Sequence, residues 1–170
     1  MPDPPKWGWN DDHPMVMVTW QDAVDYGRWA FGDDQKIFLP TEAEYERAMQ
    51  GPDESLFPWG NVWDPQGAIN SIRPNRFTST QPVGIRAQNA FALFDIAGNV
   101  WEWCVDWYDP KYYKTAPASD PTGPDKETSS RVIRGGGWDV TNQKFFRSDF
   151  RGKAIPTDRF HNTGFRCAAG

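Results

Sequence analysis

Few side chains in this 170-residue sequence could carry nucleophilic or redox chemistry: two histidines, His13 and His161, and two cysteines, Cys104 and Cys167. They cannot build a three-histidine metal centre, and a two-histidine site completed by Asp12 or Asp158 has no metal-ligand spacing. The cysteines are too few for a disulfide framework; a single bridge and two buried thiols both stay open. Hard-oxygen chemistry is better supplied. Asp95 and Glu102 offer carboxylates on either side of Gly98-Asn99, where the carbonyls of Gly98 and Val100 could add ligands. Calcium accepts that mixture and tolerates irregular geometry. The alternative is that the two carboxylates brace the turn through backbone N–H groups. Gly135-Gly136-Gly137 is no phosphate loop, because the strand–GxxxxGK[ST]–helix arrangement is missing.

The other concentration of chemistry is for recognition. From Asp139 to Thr163, rings, charges and amides alternate on what reads as loop. Side chains of this kind on loops held by a rigid scaffold are how binding surfaces are built. The candidate ligand-binding set is Trp138, Asp139, Asn142, Lys144, Asp149, Arg151, Thr157, Arg159, Phe160 and His161. Asp149 must be exposed or matched to Arg147 or Arg151, since an unpaired buried carboxylate is costly. Arg134 and Arg166 read as structural, tying loop carbonyls or pairing with Glu44 and Glu102.

The elements that must position these groups are short. Thr19 is placed to cap a helix from Trp20, with Asp22 in its first turn and an apolar stripe of Trp20, Ala23, Val24, Gly27 and Trp29. Gly32-Asp33-Asp34 should end it. Thr41 with Glu44 forms a capping box for a second helix, stapled by Leu39 and Tyr45 and ending near Gln50 before Gly51-Pro52. Residues 51–90 read as loop, which needs fasteners: buried tryptophans, an ion, or side-chain bonds to backbone. Arg131–Arg134 reads as a strand, and Phe145–Phe150 and Phe165–Cys167 as strands completing a small antiparallel sheet. Residues 1–14 form an N-terminal arm, and 15–170 a single domain.

Composition limits the function classes. Lys+Arg 18 against Asp+Glu 23 gives a net charge of −5, against a nucleic-acid partner. No apolar run approaches the roughly 18 residues of a membrane span. The start, MPDPPKWGWNDD, has neither a basic flank nor an apolar h-region, so a soluble chain without a signal peptide is expected and the compartment stays open. Trp 10, Phe 11, Gly 15 and Pro 15 favour large buried rings and enforced turns over long helices. Trp20, Trp59, Trp101, Trp103 and Trp138 are expected in the core; Trp7, Trp9 and Trp63 are either an exposed binding set or a cover for the N-terminal side.

Six segments, taken in order, resemble one family: VTWQDAVDYGRWA, LPTEAEYERAM, FPWGN, the run Gly98 to Trp103, RVIRGGGW and GFRCA. The chain is identified as similar to the formylglycine-generating enzyme and sulfatase-modifying-factor superfamily from about Pro14 to Ala168. The resemblance implies an α+β, C-type-lectin-like fold with two early helices and much irregular structure. It also implies a structural calcium site at Asp95, Gly98, Val100 and Glu102, and a second that maps loosely to Asn70, Ser71 and residues 75–77. Members that make formylglycine bind copper through two cysteines after the glycine-rich strand. In this sequence those positions are Val140 and Phe145 or Phe146, which offer no thiolate. Members also carry an additional N-terminal portion ending in a Gly-Gly-x-Phe-x-Met-Gly type motif, and this chain begins after it. It is either a trimmed domain or one completed by a partner chain. The 139–162 composition is similar to the binding face of lectin-like variable proteins diversified by retroelements. The expected function is therefore a non-catalytic domain binding a protein or small-molecule ligand. The competing expectation is an oxidoreductase or other modifying enzyme of the superfamily.

Overall fold

The computed structural model describes residues 3–32 and 37–169. Helix α1 spans Trp20–Phe31 and helix α2 spans Glu42–Gln50. Both begin in capping boxes. Thr19 accepts from Asp22 N while Asp22 accepts from Thr19 N, and Thr41 and Glu44 do the same. Gly32 and Gly51, at φ 83° and 69°, end the helices. Asp33-Asp34, expected to share in ending α1, lie outside the described residues.

Strand β1 (Ile37–Phe38) pairs with β6 (Ala168–Ala169). The main sheet runs in the order β4 (Gly152–Ala154), β3 (Arg131–Arg134), β2 (Trp101–Trp107), β5 (Thr163–Gly164). It is mixed and not wholly antiparallel as expected, because β5 lies parallel to β2. Strand β2 was not foreseen. WEWCVDW is covered on both faces, so it lacks the polar alternation of a half-exposed strand. Neighbouring residues of a strand point to opposite faces. Trp103 and its partner Ile133 enter one core cluster with Ala23, Leu39 and Ala154, while Cys104 and Val132 enter another with Tyr45, Met49, Phe57 and Phe146. The sheet thus separates two cores.

The expected strand at Phe145–Phe150 is instead a 3-10 turn, Gln143–Phe146. Asn142 accepts from Lys144 N at 3.0 Å, a local bond that competes with a ladder. The strand follows at Gly152. Phe165–Cys167 lies between β5 and β6 and belongs to neither. Trp29, assigned to the buried stripe, is 80% exposed, since α1 buries only Ala23 and Gly27.

Residues 51–90 are held by rings and side-chain bonds, as anticipated. Phe57 stacks on Trp59 with centroids 5.4 Å apart, Trp63 meets both, and Trp63 continues to Phe146. Trp103 is fully buried, whereas Trp20, Trp59, Trp101 and Trp138 are half-buried. Arg131 is sandwiched between Trp20 and Trp107, its guanidinium carbon 3.8 and 3.5 Å from the two ring centroids. Among the described residues no helix is long and apolar enough to cross a membrane.

Candidate functional site

The chain leaves β3 through Gly135 and Gly136, at φ 94° and 82°. A Cβ on the first would lie 2.5 Å from the Tyr45 hydroxyl, and on the second 2.7 Å from the Phe146 ring. These contacts make the two glycines necessary, and a Cβ on Gly137 would meet Trp101 at 3.2 Å. The turn delivers Trp138 to the surface. Its N–H donates to Asn99 O (2.9 Å) and its carbonyl accepts from Ser71 Oγ (2.9 Å). The indole lies 5.5 Å from the His161 ring and 5.4 Å from Trp7, which approaches almost at a right angle from the N-terminal arm. Asp139 accepts from Asn162 Nδ2 at 3.1 and 3.0 Å, and its Oδ2 is 3.7 Å from His161 Nε2. Of the expected set, then, Trp138, Asp139 and His161 form one patch, joined by Trp7 and Asn162.

The other candidates spread around the same end of the chain. Asn142 and Lys144 are exposed on the 3-10 turn, with Lys144 Nζ 4.8 Å above the Phe145 ring. Asp149 is exposed and held by both arms of Arg147 (2.8 and 2.6 Å), whose hydrogen bonds keep its carboxyl below the ordinary range. Thr157 is exposed; Phe160 packs into the core beside Ala23 and Trp103. Arg159 ties to Asp22 (2.6 Å) and to Met17 O (2.8 Å). Arg151 turns inward, donating to Glu42 at 2.8 and 2.7 Å.

Glu42 anchors a buried network that sequence reasoning missed. It also faces Arg134, whose guanidinium reaches Glu46 (2.7 Å) and the carbonyls of Ser148 and Phe150. Arg134 is therefore structural as expected, but its partners are Glu42 and Glu46 and not Glu44, which is occupied in the capping box. Asp106 accepts from Glu42 N (2.7 Å) while its Oδ1 is buried without a partner. The available signal was an acid inside the aromatic run WEWCVDW, where only a partner could justify it.

Val140 packs against the core cluster that contains Phe146, and Phe146 is fully buried. Phe145 lies against Trp101 and Phe150. The residues at these positions do not fit a copper ion: none has a soft donor. Both cysteines are free thiols, and burial pushes Cys104 well above its ordinary value and Cys167 upward too.

Asp95, Gly98, Val100 and Glu102 do line one recess, together with Phe94, Phe165 and Arg166. Asp95 Oδ2 accepts from Gly84 N (2.6 Å) and its Oδ1 is buried with no partner, an orphan acceptor that a hard cation would satisfy. Glu102 is gripped by Arg166, and Gly98 O accepts from Val100 N (2.9 Å). Asp95 Oδ1 is thus the carboxylate oxygen left for a cation, since Arg166 occupies both oxygens of Glu102, and no cluster of three or more His, Cys, Asp or Glu side chains that could hold a metal occurs among the described residues. Asn70 is outside the recess, its amide donating to Pro65 O and Ala68 O and its Oδ1 accepting from Ile72 N.

Residues 4–170 match the family described as the sulfatase-modifying factor enzyme 1-like domain. The chain belongs to this family. As a sulfatase-modifying-factor-like domain it is 38% identical over 176 residues to a formylglycine-generating enzyme of Thermomonospora curvata, covering 93% of this chain and 56% of that protein. It spans about half the length of the curated relatives it matches. Among solved structures, PvdO from Pseudomonas aeruginosa matches with a TM-score of 0.82 and 27% identity, over 96% of this chain and 64% of that one. Treponema denticola variable protein 1 shares the fold with a TM-score of 0.79 at 24% identity, over 98% and 74% of the two chains.

Proposed function

We propose that this sulfatase-modifying-factor-like domain is a recognition module, presenting the Trp138–His161 face to a peptide segment of a protein ligand, with calcium at Asp95, Gly98, Val100 and Glu102 as a structural ion. The observation that carries the reading is Phe146. It is one of the two alternatives, Phe145 or Phe146, for the second copper thiolate the resemblance expects, is fully buried, and its ring centroid lies 5.4 Å from that of Trp63. A ring anchored in the core supplies no ligand, while Trp138, Asp139 and His161 supply stacking, charge and hydrogen bonding at a half-exposed patch.

One observation favours a second reading. Identity of 38% to a formylglycine-generating enzyme supports a modifying enzyme of the same family whose site is completed by a partner chain. Selection of displayed peptides on the intact chain separates the two. Recognition predicts enriched peptides whose binding is lost in Trp138→Ala and His161→Ala variants that melt like the parent. Equal binding to the variants, or copper-dependent oxygen uptake with a cysteine peptide, would overturn it.

A further inference from the structure

The N-terminal arm does more than cover the body of the domain. It closes over a cavity of about 310 Å³ whose wall includes Trp7, Trp9, Asp11, His13 and Met15. The arm is tied down on both sides of that space. Val83 N donates to Asp12 O (2.8 Å), His13 Nδ1 and Thr80 Oγ1 are in hydrogen-bond contact at 2.8 Å, and Trp7 stands against Trp138 and His161. The cavity is therefore continuous with the recognition patch through Trp7. Trp9, 40% exposed, is accessible from solvent.

The chemistry of this wall is one-sided. Two indoles and the exposed Asp11 carboxylate border the space, the His13 imidazole sits between Thr80 Oγ1 (2.8 Å) and the Asp12 carboxylate (3.8 Å), and no lysine or arginine lines the space among the described residues. An anion would meet like charge there. A neutral apolar group would use the rings and leave the carboxylate idle. A cation uses both, through attraction to the indole faces and to Asp11, and the chain's net charge of −5 favours its approach.

We infer that this cavity is a binding site for an ammonium or guanidinium group, the side chain of a lysine or arginine in the protein ligand. The inference deepens the recognition reading and rests on it for the source of the cation. The test is an NMR titration of the tryptophan indole N–H resonances of the full chain at fixed ionic strength. Its probes are Nα-acetyl-lysine and Nα-acetyl-arginine methylamides, with the neutral norleucine and citrulline methylamides as matched controls.

The Trp7 and Trp9 resonances should shift with at least one cationic probe and not with its neutral counterpart. Asp11→Asn should weaken that binding by about threefold or more, the size of one exposed charge or cation–π contact. Trp9→Ala should weaken it further, and neither exposed substitution should alter the melt. Equal shifts with neutral probes, or none at the highest soluble concentration, would overturn the site. If His161→Ala abolishes peptide selection while no cation preference is seen, the cavity assignment fails and the recognition reading stands. Cation selectivity at Trp9 without any peptide selection supports the cavity and removes the recognition reading.

Discussion

Arg166 holds Glu102 in a two-pronged ion pair, Nε at 2.5 Å and Nη2 at 2.7 Å, and so ties the C-terminal GFR segment to the start of β2. Glu102 is almost wholly buried, with 5% of its side chain exposed. Removing one partner leaves the other charge uncompensated, so Arg166→Ala should cost about 3–5 kcal/mol in urea unfolding. Arg166→Lys keeps the charge but not the fork and should cost less. A loss below about 1 kcal/mol for the alanine variant would show that the pair is a surface-like contact.

Calcium, on the proposed assignment, adds to this arrangement through the orphan oxygen of Asp95. Calcium added to chelator-treated protein should raise the melting temperature by about 5–10 °C once it exceeds its dissociation constant about a hundredfold. Magnesium, which demands stricter octahedral geometry, should do less. Asp95→Ala should abolish the rise. A thermal shift unchanged in that variant would place the ion elsewhere.

Asp106 gives the fold a pH signature. Burial, opposed by the hydrogen bond from Glu42 N and reinforced by the Glu42 carboxylate, pushes its carboxyl up to about 6. A carboxyl raised on folding binds its proton more tightly in the native state. Its contribution is therefore most favourable below the unfolded value near 4, declines as pH rises from about 4 to about 6, and is flat above. The ionised form costs the fold on the order of 2–3 kcal/mol at neutral pH. Asp106→Asn should flatten this part of the stability profile and equal or exceed the parent at pH 8. An unaltered slope between pH 4 and 6 would contradict it.

The two helices were legible in the sequence because their ends are local: Thr19 with Asp22, Thr41 with Glu44, and the glycines that stop them. The sheet was less so. Strand β2 is covered on both faces, and the 145–150 segment turns because Asn142 binds the backbone two residues on. At the candidate site, Trp138, Asp139 and His161 come together because the glycine turn and β5 bring residues 138 and 161 to one edge. Arg151 and Arg134 instead turn toward Glu42, a partner about a hundred residues away for which no local pattern exists. Trp7 could not be placed from sequence, since an arm without periodicity does not announce what it covers.

The segment after the glycine-rich strand either recognises a ligand or holds a redox metal. The most direct measurement is Cu(I) competition against a chelator of known affinity, made on the intact chain with oxygen uptake followed in the presence of a cysteine peptide. With Val140 and either Phe145 or Phe146 at the expected thiolate positions, the chelator should retain the copper and oxygen uptake should not exceed that of the chelated metal alone. One equivalent of copper taken from the chelator, with peptide-dependent oxygen uptake, would contradict it.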